Sequence, residues 1–247
     1  NLVESIKQQS FKSIEIIISK NESPNGHARN VGFTKVNRMS KYLIFFDDDV
    51  TLGNDLIISN FVEVLKNSAV GLVGASQIPP KESSLKQLWI GYDLNRAKFD
   101  IVNQLTVSDM VTHAGMACRK EVWIELGGES SKLVTGTDTD LRERLNKNGY
   151  KNVIAPKTYV YHPLPSSFIQ LFRNAIFHGK NQYQYRKKNG FQKNPAKPFK
   201  RIYNRQTFLY SIIFELFIFI PHIFIANRKF PFGFRPINAI FRFIMVV

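Results

Sequence analysis

KYLIFFDDDVTL, residues 41–52, is the stretch on which the fold turns. Residues 42–46 form a short, continuous apolar run of strand formers that stops abruptly at three carboxylates, Asp47, Asp48 and Asp49. A buried strand of an α/β sheet reads this way, and ligands of such sheets collect at the carboxyl ends of strands. Two carboxylates at i and i+2 around a tight turn hold one hard divalent cation through oxygen. Three adjacent like charges repel, and either exposure or a cation among them relieves the repulsion. A solvated acidic turn or a helix cap accounts for the same residues without a ligand.

The flanking segments supply the rest of an α/β pattern. Upstream, residues 2–9 read as the end of an amphipathic helix, and SIEIIIS at 13–19 is a β-branched strand. SPNG at 23–26 has turn chemistry, and residues 27–36 are predicted helical with Ala28 and Val31 turned inward. Arg29 then falls at a helix N-terminus, a poor place for a cation unless it faces a bound phosphate; a surface arginine is the plainer alternative. Downstream, 54–66 is predicted as a helix and 70–75 as a buried strand. Strand, helix, strand in that order predicts a parallel sheet with right-handed crossovers.

Residues 85–99 are predicted helical, and 110–118 as a strand containing His113-Ala114-Gly115, where glycine permits a close approach. A short helix at 121–126 is stopped by Gly127-Gly128. Thr137-Asp138-Thr139-Asp140 opens a helix that ends near Gly149; Thr137 or Asp138 is expected to cap it, and acids suit its first turn whether or not they do chemistry. Two short strands, 152–155 and 158–161, are expected around Pro156, followed by His162.

Charge divides the chain. Through residue 143 there are 16 Lys and Arg against 18 Asp and Glu; from Arg144 onward there are 18 against the single acid Glu215. That asymmetry points the second part at a polyanion or an anionic membrane surface. Nucleic acid is disfavoured, because the basic part runs into a membrane-grade apolar run and no zinc, homeodomain or RRM pattern occurs. The single Cys118 excludes an internal disulfide framework and reads as packing. The chain opens without Met, in what reads as mid-helix, and an upstream strand is expected.

Taken in order, Ala28-Arg29-Asn30, YLIFFDDDV, Gly127-Gly128, TGTDTDLRERLNKNGY and APKTYVYH resemble a family 2 glycosyltransferase with the GT-A fold, over residues 2 to about 186. The resemblance implies a mixed, mostly parallel α/β sheet flanked by helices, with a catalytic domain over 1–165. It implies transfer of a sugar from a nucleoside-diphosphate donor to a glycan or lipid-linked acceptor, as in cell-envelope polysaccharide synthesis. Asp47 and Asp49 would form the DxD motif that holds Mn²⁺ or Mg²⁺, with His162 at a position that touches metal or diphosphate. Arg29, Asp47 and Asp48 would lie on the nucleotide side. Asp138 would be the catalytic base of an inverting displacement, and His113, Gly115 and Asp140 would lie on the acceptor side. Thr137 stands where the family has Glu, and Ser19-Lys20-Asn21 stands where an acid reads the nucleobase. The absence of Gln-x-x-Arg-Trp argues against a processive synthase. A catalytically silent, glycosyltransferase-like membrane scaffold is the alternative.

The tail is read from its own composition. Residues 166–206 are a basic helical linker, with ten Lys or Arg and no acid between Arg173 and Arg205. Residues 207–247 form an apolar, membrane-associated tail. Within it TFLYSIIFELFIFIPHIFIA, 207–226, is long enough to span a bilayer but carries Glu215, Pro221 and His222. The expected location is a cytoplasmic catalytic domain held at a membrane surface.

Overall fold

The computed structural model describes residues 2–84, 87–88 and 100–189. In chain order the elements are α1 (Leu2–Lys7), α2 (Asn25–Thr34), β1 (Tyr42–Phe45), β2 (Thr51–Leu52), α3 (Ile57–Leu65), β3 (Val70–Ile78), β4 (Thr106–Val107), β5 (Met116–Arg119), α4 (Lys120–Glu125), α5 (Thr137–Lys147), β6 (Lys151–Tyr161) and α6 (Phe168–Asn189). Cα packing divides the chain into two units, Asn1–Ser83 with Lys98–Pro163, and Ser84–Ala97 with Leu164–Val247.

The first unit is a mixed sheet in the order β1-β5-β3-β6-β2, with β4 also on β6. Its side chains divide between two apolar clusters. Val73 and Ala75 of β3 pack with Ile57, Phe61 and Leu65 of α3. Leu72 packs instead with Val122 and Trp123 of α4 and Leu141 and Leu145 of α5. That split is the period-2 alternation of a strand with helices on both faces. Trp123, 2% exposed, stacks on Phe45 of β1 at a centroid distance of 4.7 Å and so ties α4 to the strand that carries the acids.

The expectation of a mostly parallel sheet is corrected. Among the described residues only β3 and β6 pair in parallel; β1–β5, β3–β5, β2–β6 and β4–β6 are antiparallel. β1 and β3 do run the same way across the α3 crossover, but they are not neighbours. β5 lies between them, with Ala117 opposite both Ile44 and Val73.

Three local expectations are corrected as well. Residues 13–19 belong to no strand, with Ile16 and Ile18 exposed; β-branched residues favour strands, whereas a ladder needs a partner edge. The strand expected at 110–118 begins only at Met116, which leaves His113 and Gly115 in the preceding loop. The two strands expected around Pro156 are one, β6, interrupted by a register shift at Lys157, whose φ is 52°.

In the second unit, Ser167 and Gln170 start α6 in capping-box fashion. Ser167 Oγ accepts from the Gln170 amide at 3.2 Å, and Gln170 Oε1 accepts from the Ser166 amide at 2.8 Å. Among the described residues no helix is long and apolar enough to cross a membrane. The 207–226 run and most of the expected 85–99 helix lie outside the described residues.

Candidate active site

The apolar run of β1 ends at Phe45, and the chain then turns through the three acids. The Asp47 amide donates to the His113 carbonyl at 3.0 Å, and the Val50 amide closes the turn onto the Asp47 carbonyl at 3.3 Å. Asp48 and Asp49 are exposed, whereas Asp47 is half-buried. The turn leads into β2, whose Thr51 lies opposite Tyr161 of β6 in antiparallel register. That register brings Asp49, two residues before Thr51, toward His162, one residue after Tyr161. Asp49 Oδ1 lies 3.8 Å from His162 Nε2, while the other ring nitrogen, Nδ1, is 3.0 Å from the Pro163 carbonyl.

Arg29 lies in the second turn of α2 rather than at its N-terminus, because the helix begins at Asn25. Its guanidinium is divided between two acids: Nη2 donates to Asp47 Oδ1 at 3.0 Å and Nη1 to Glu129 Oε2 at 3.2 Å. The other oxygen of Glu129 meets His113 Nε2. Asp47, Arg29, Glu129 and His113 thus form one continuous chain of charged and polar contacts. Burial alone pushes the Glu129 carboxyl up, but the His113 hydrogen bond and charge, with the Arg29 guanidinium, outweigh it and hold the group below the usual carboxylate range.

The backbone around Glu129 is fixed by its neighbours in that chain of residues. Asn30 Oδ1 accepts from the Glu129 amide at 3.0 Å, and Asn30 Nδ2 donates to its carbonyl at 2.7 Å. Gly128 makes this approach available: its φ is +72°, and a Cβ there would lie 2.5 Å from Asn30 Oδ1. Arg29 and Asn30 therefore work as a clamp from α2 onto the loop after α4.

α5 opens at Gly136, which takes a left-handed conformation without a side-chain cap, so the expected cap by Thr137 or Asp138 is corrected. Instead Asp138 Oδ1 accepts from the Thr139 amide at 2.9 Å, and Oδ2 accepts from Arg142 at 3.2 Å. The same Arg142 nitrogen donates to the Val111 carbonyl. Asp140 pairs with Arg144 at 2.9 Å, and Arg144 also holds the Leu126 and Gly128 carbonyls at 2.8 and 2.9 Å. Gly115 is packed among Val160, Ala75 and Phe46, each within 3.5 Å of where its Cβ would be.

The structure thus gathers Asp47, Asp49, Arg29, His113 and His162 at the carboxyl end of β1. It joins Asp138 to the same segment through Arg142, since residues 111 and 113 are held by Arg142 and Asp47 respectively. Asp140 and Gly115 are engaged in packing and pairing with the loop and core. Glu129 and Arg142 were not expected from sequence: one follows a Gly-Gly turn and the other sits in a charged helix, and neither pattern signals a buried partner. Cys118 lies inside β5, where burial pushes its thiol up to about 12; it is packing, as expected.

A divalent cation suits this donor set. Asp49 supplies hard oxygen and His162 an imidazole nitrogen, a combination that Mn²⁺ accepts, and Mg²⁺ is commonly bound by one or two carboxylates with substrate phosphates and water completing the shell. Among the described residues no three His, Cys, Asp or Glu side chains come together as a cation site.

Among proteins of curated function none matches by sequence. By structure the chain is similar to the mannosyltransferase PcManGT from Pyrobaculum calidifontis, solved in complex with GDP-Man and Mn²⁺, with TM-score 0.57 and 13% identity. The match covers 92% of this chain and 66% of that one, so the chain spans under two thirds of that enzyme's length. It also matches residues 1–349 of TarS from S. aureus at TM-score 0.43 and 9% identity, over 99% of this chain and 82% of that one. The family model described as glycosyltransferase like family 2 matches residues 2–176. That match covers most of the sequence and coincides with the α/β, GT-A-like sheet and its acid-bearing loops, so the chain belongs to the glycosyltransferase-like family 2.

Proposed function

We propose that this chain transfers a sugar from a nucleoside-diphosphate donor to a glycan or lipid-linked acceptor, with a divalent cation and inversion at the anomeric carbon. One observation carries the reading: the acid-bearing end of β1 and the acid-bearing start of α5 are fastened to the same three-residue segment, by the Asp47 amide at His113 and by Arg142 at Val111. Acids more than 80 residues apart in sequence thereby serve one place.

Asp49 and the Asp47 oxygen not paired with Arg29 would hold the cation, with His162 beside Asp49 toward the metal or diphosphate and Asp48 on the nucleotide side. When bound, Mn²⁺ or Mg²⁺ supplies neutralisation of the negative charge that grows on the β-phosphate as the anomeric bond breaks. Arg29 adds a fixed positive charge beside the same carboxylates. Asp138 takes the proton of the acceptor hydroxyl as its oxygen attacks the anomeric carbon. Base catalysis of this kind contributes on the order of 10²–10⁴ in rate. Arg142 fixes the Asp138 carboxylate so that its free lone pairs keep one orientation. A single attack opposite the leaving diphosphate inverts the centre.

The catalytic part over 1–165, the basic linker over 166–206 and the apolar tail over 207–247 complete the reading. Ten basic residues between Arg173 and Arg205 would rest on anionic headgroups and hold a cytoplasmic active site against a membrane-bound acceptor. The mannosyltransferase neighbour, solved with GDP-Man and Mn²⁺, supports a nucleotide-sugar and metal site on this fold. The test is a thermal-shift panel of UDP-, GDP- and dTDP-sugars with and without Mn²⁺, followed by turnover of whichever donor binds. One donor raising the melting temperature only with Mn²⁺, followed by turnover, is expected. Binding without turnover would make the chain a silent scaffold, and no binding by any donor would sink the reading.

A further inference from the structure

Glu129 is an acid with 0% side-chain exposure, and burying a carboxylate is costly unless it is paired. Here both oxygens are paired, one with Arg29 and one with His113, and both backbone groups are pinned by Asn30. What matters is how this divides Arg29. A guanidinium is a planar fork that matches a single carboxylate with two parallel hydrogen bonds. Arg29 does not bind Asp47 that way: Nη2 goes to Asp47 and Nη1 to Glu129. Without the Glu129 charge, the fork is free to close on Asp47 with both nitrogens and occupy both of its oxygens.

We propose that Glu129 is a positioning residue of the donor site, which holds one side of Arg29 and the ring of His113 so that Asp47 keeps an oxygen for the divalent cation. It acts through Arg29 and does not itself touch the donor. It also links the two sides of the site, because His113 sits on the segment that receives both the Asp47 amide and, at Val111, Arg142. The inference rests on the donor-site reading above, and it deepens that reading by assigning a residue outside the ligand set that governs how well the ligands bind.

The test uses the full chain and two probes, Mn²⁺ alone and inorganic pyrophosphate with Mn²⁺. Free Mn²⁺ is followed by electron paramagnetic resonance and pyrophosphate binding by calorimetry, for wild type, Glu129→Gln and Glu129→Asp. Partners that orient metal ligands typically govern ~10–100-fold in metal affinity. Glu129→Gln is expected to weaken Mn²⁺ binding about tenfold and pyrophosphate binding with it, and Glu129→Asp about threefold, since it keeps the charge but draws it back. A purely structural role would lower the melting temperature without changing either affinity of the folded protein. Either folded variant binding both probes within about twofold of wild type overturns the proposal. Glu129→Asp carries the test alone should the Gln variant not fold. A wild-type protein that binds neither probe overturns the donor-site reading along with this one, and that failure is recognised without any variant.

Discussion

Asp138 and Glu129 are both carboxylates held by arginine, yet their surroundings give them different work. Asp138 is partly exposed, anchored on one side by Arg142 and on the other by its own helix turn. Asp138→Asn keeps the shape and one of the two hydrogen bonds that the carboxylate accepts, but cannot take a proton. Donor binding measured by calorimetry should stay within about twofold, while turnover falls by about 10²–10⁴; unchanged turnover would remove Asp138 as the base. Glu129 instead contributes stability through its charge. Its folded-state carboxyl lies below the ordinary value of about 4.3, so its contribution is full above that pH and is lost as pH falls through the folded value. Urea midpoints taken from about pH 6 down to about pH 3 should therefore drop less steeply in Glu129→Gln than in wild type. Equal slopes would mean that the His113 and Arg29 contacts do not favour the ionised form.

At the scale of elements, the site depends on the clamp between α2 and the loop after α4. Asn30 satisfies both backbone groups of Glu129, and Gly128 lets it come close. Gly128→Ala would force a left-handed residue and a Cβ against Asn30 Oδ1, at a cost of about 1–3 kcal/mol. Chemical denaturation checks the cost, and a change below about 0.5 kcal/mol would show that the loop relaxes freely. The same clamp explains why α2 need not present its N-terminus to the site. Arg29 reaches Asp47 from the second turn because the loop, not the helix dipole, sets its direction.

For the whole molecule, charge separation is the organising feature. The part through residue 143 is slightly acidic, and nearly all the positive excess follows it. The full chain should sediment with vesicles containing anionic lipid, and the bound fraction should fall as NaCl rises from about 0.1 to about 0.5 M, over which the screening length shortens markedly. Equal sedimentation with purely zwitterionic vesicles would assign the attachment to the apolar tail alone. Chain-wide partition also explains how a cluster of acids coexists with a strongly basic protein: Asp47, Asp48, Asp49, Glu129 and Asp138 all fall in the acidic part.

The apolar β1 run, the acid cluster at its end, the α3 helix with the buried strand after it and the helix that opens at Thr137 all follow from local pattern, because periodicity and turn chemistry are properties of neighbouring residues. Sheet order is not such a property. β5 entered between β1 and β3, and residues 13–19 stayed outside any ladder, because pairing depends on which edge meets which across long stretches of chain. The sharing of Arg29 between Asp47 and Glu129 lies further still from local reading. Its partners are 18 and 100 residues away, and only the packing of α2 against the loop after α4 brings the three together, with Glu129 shut off from solvent and unable to stand there as a charge alone.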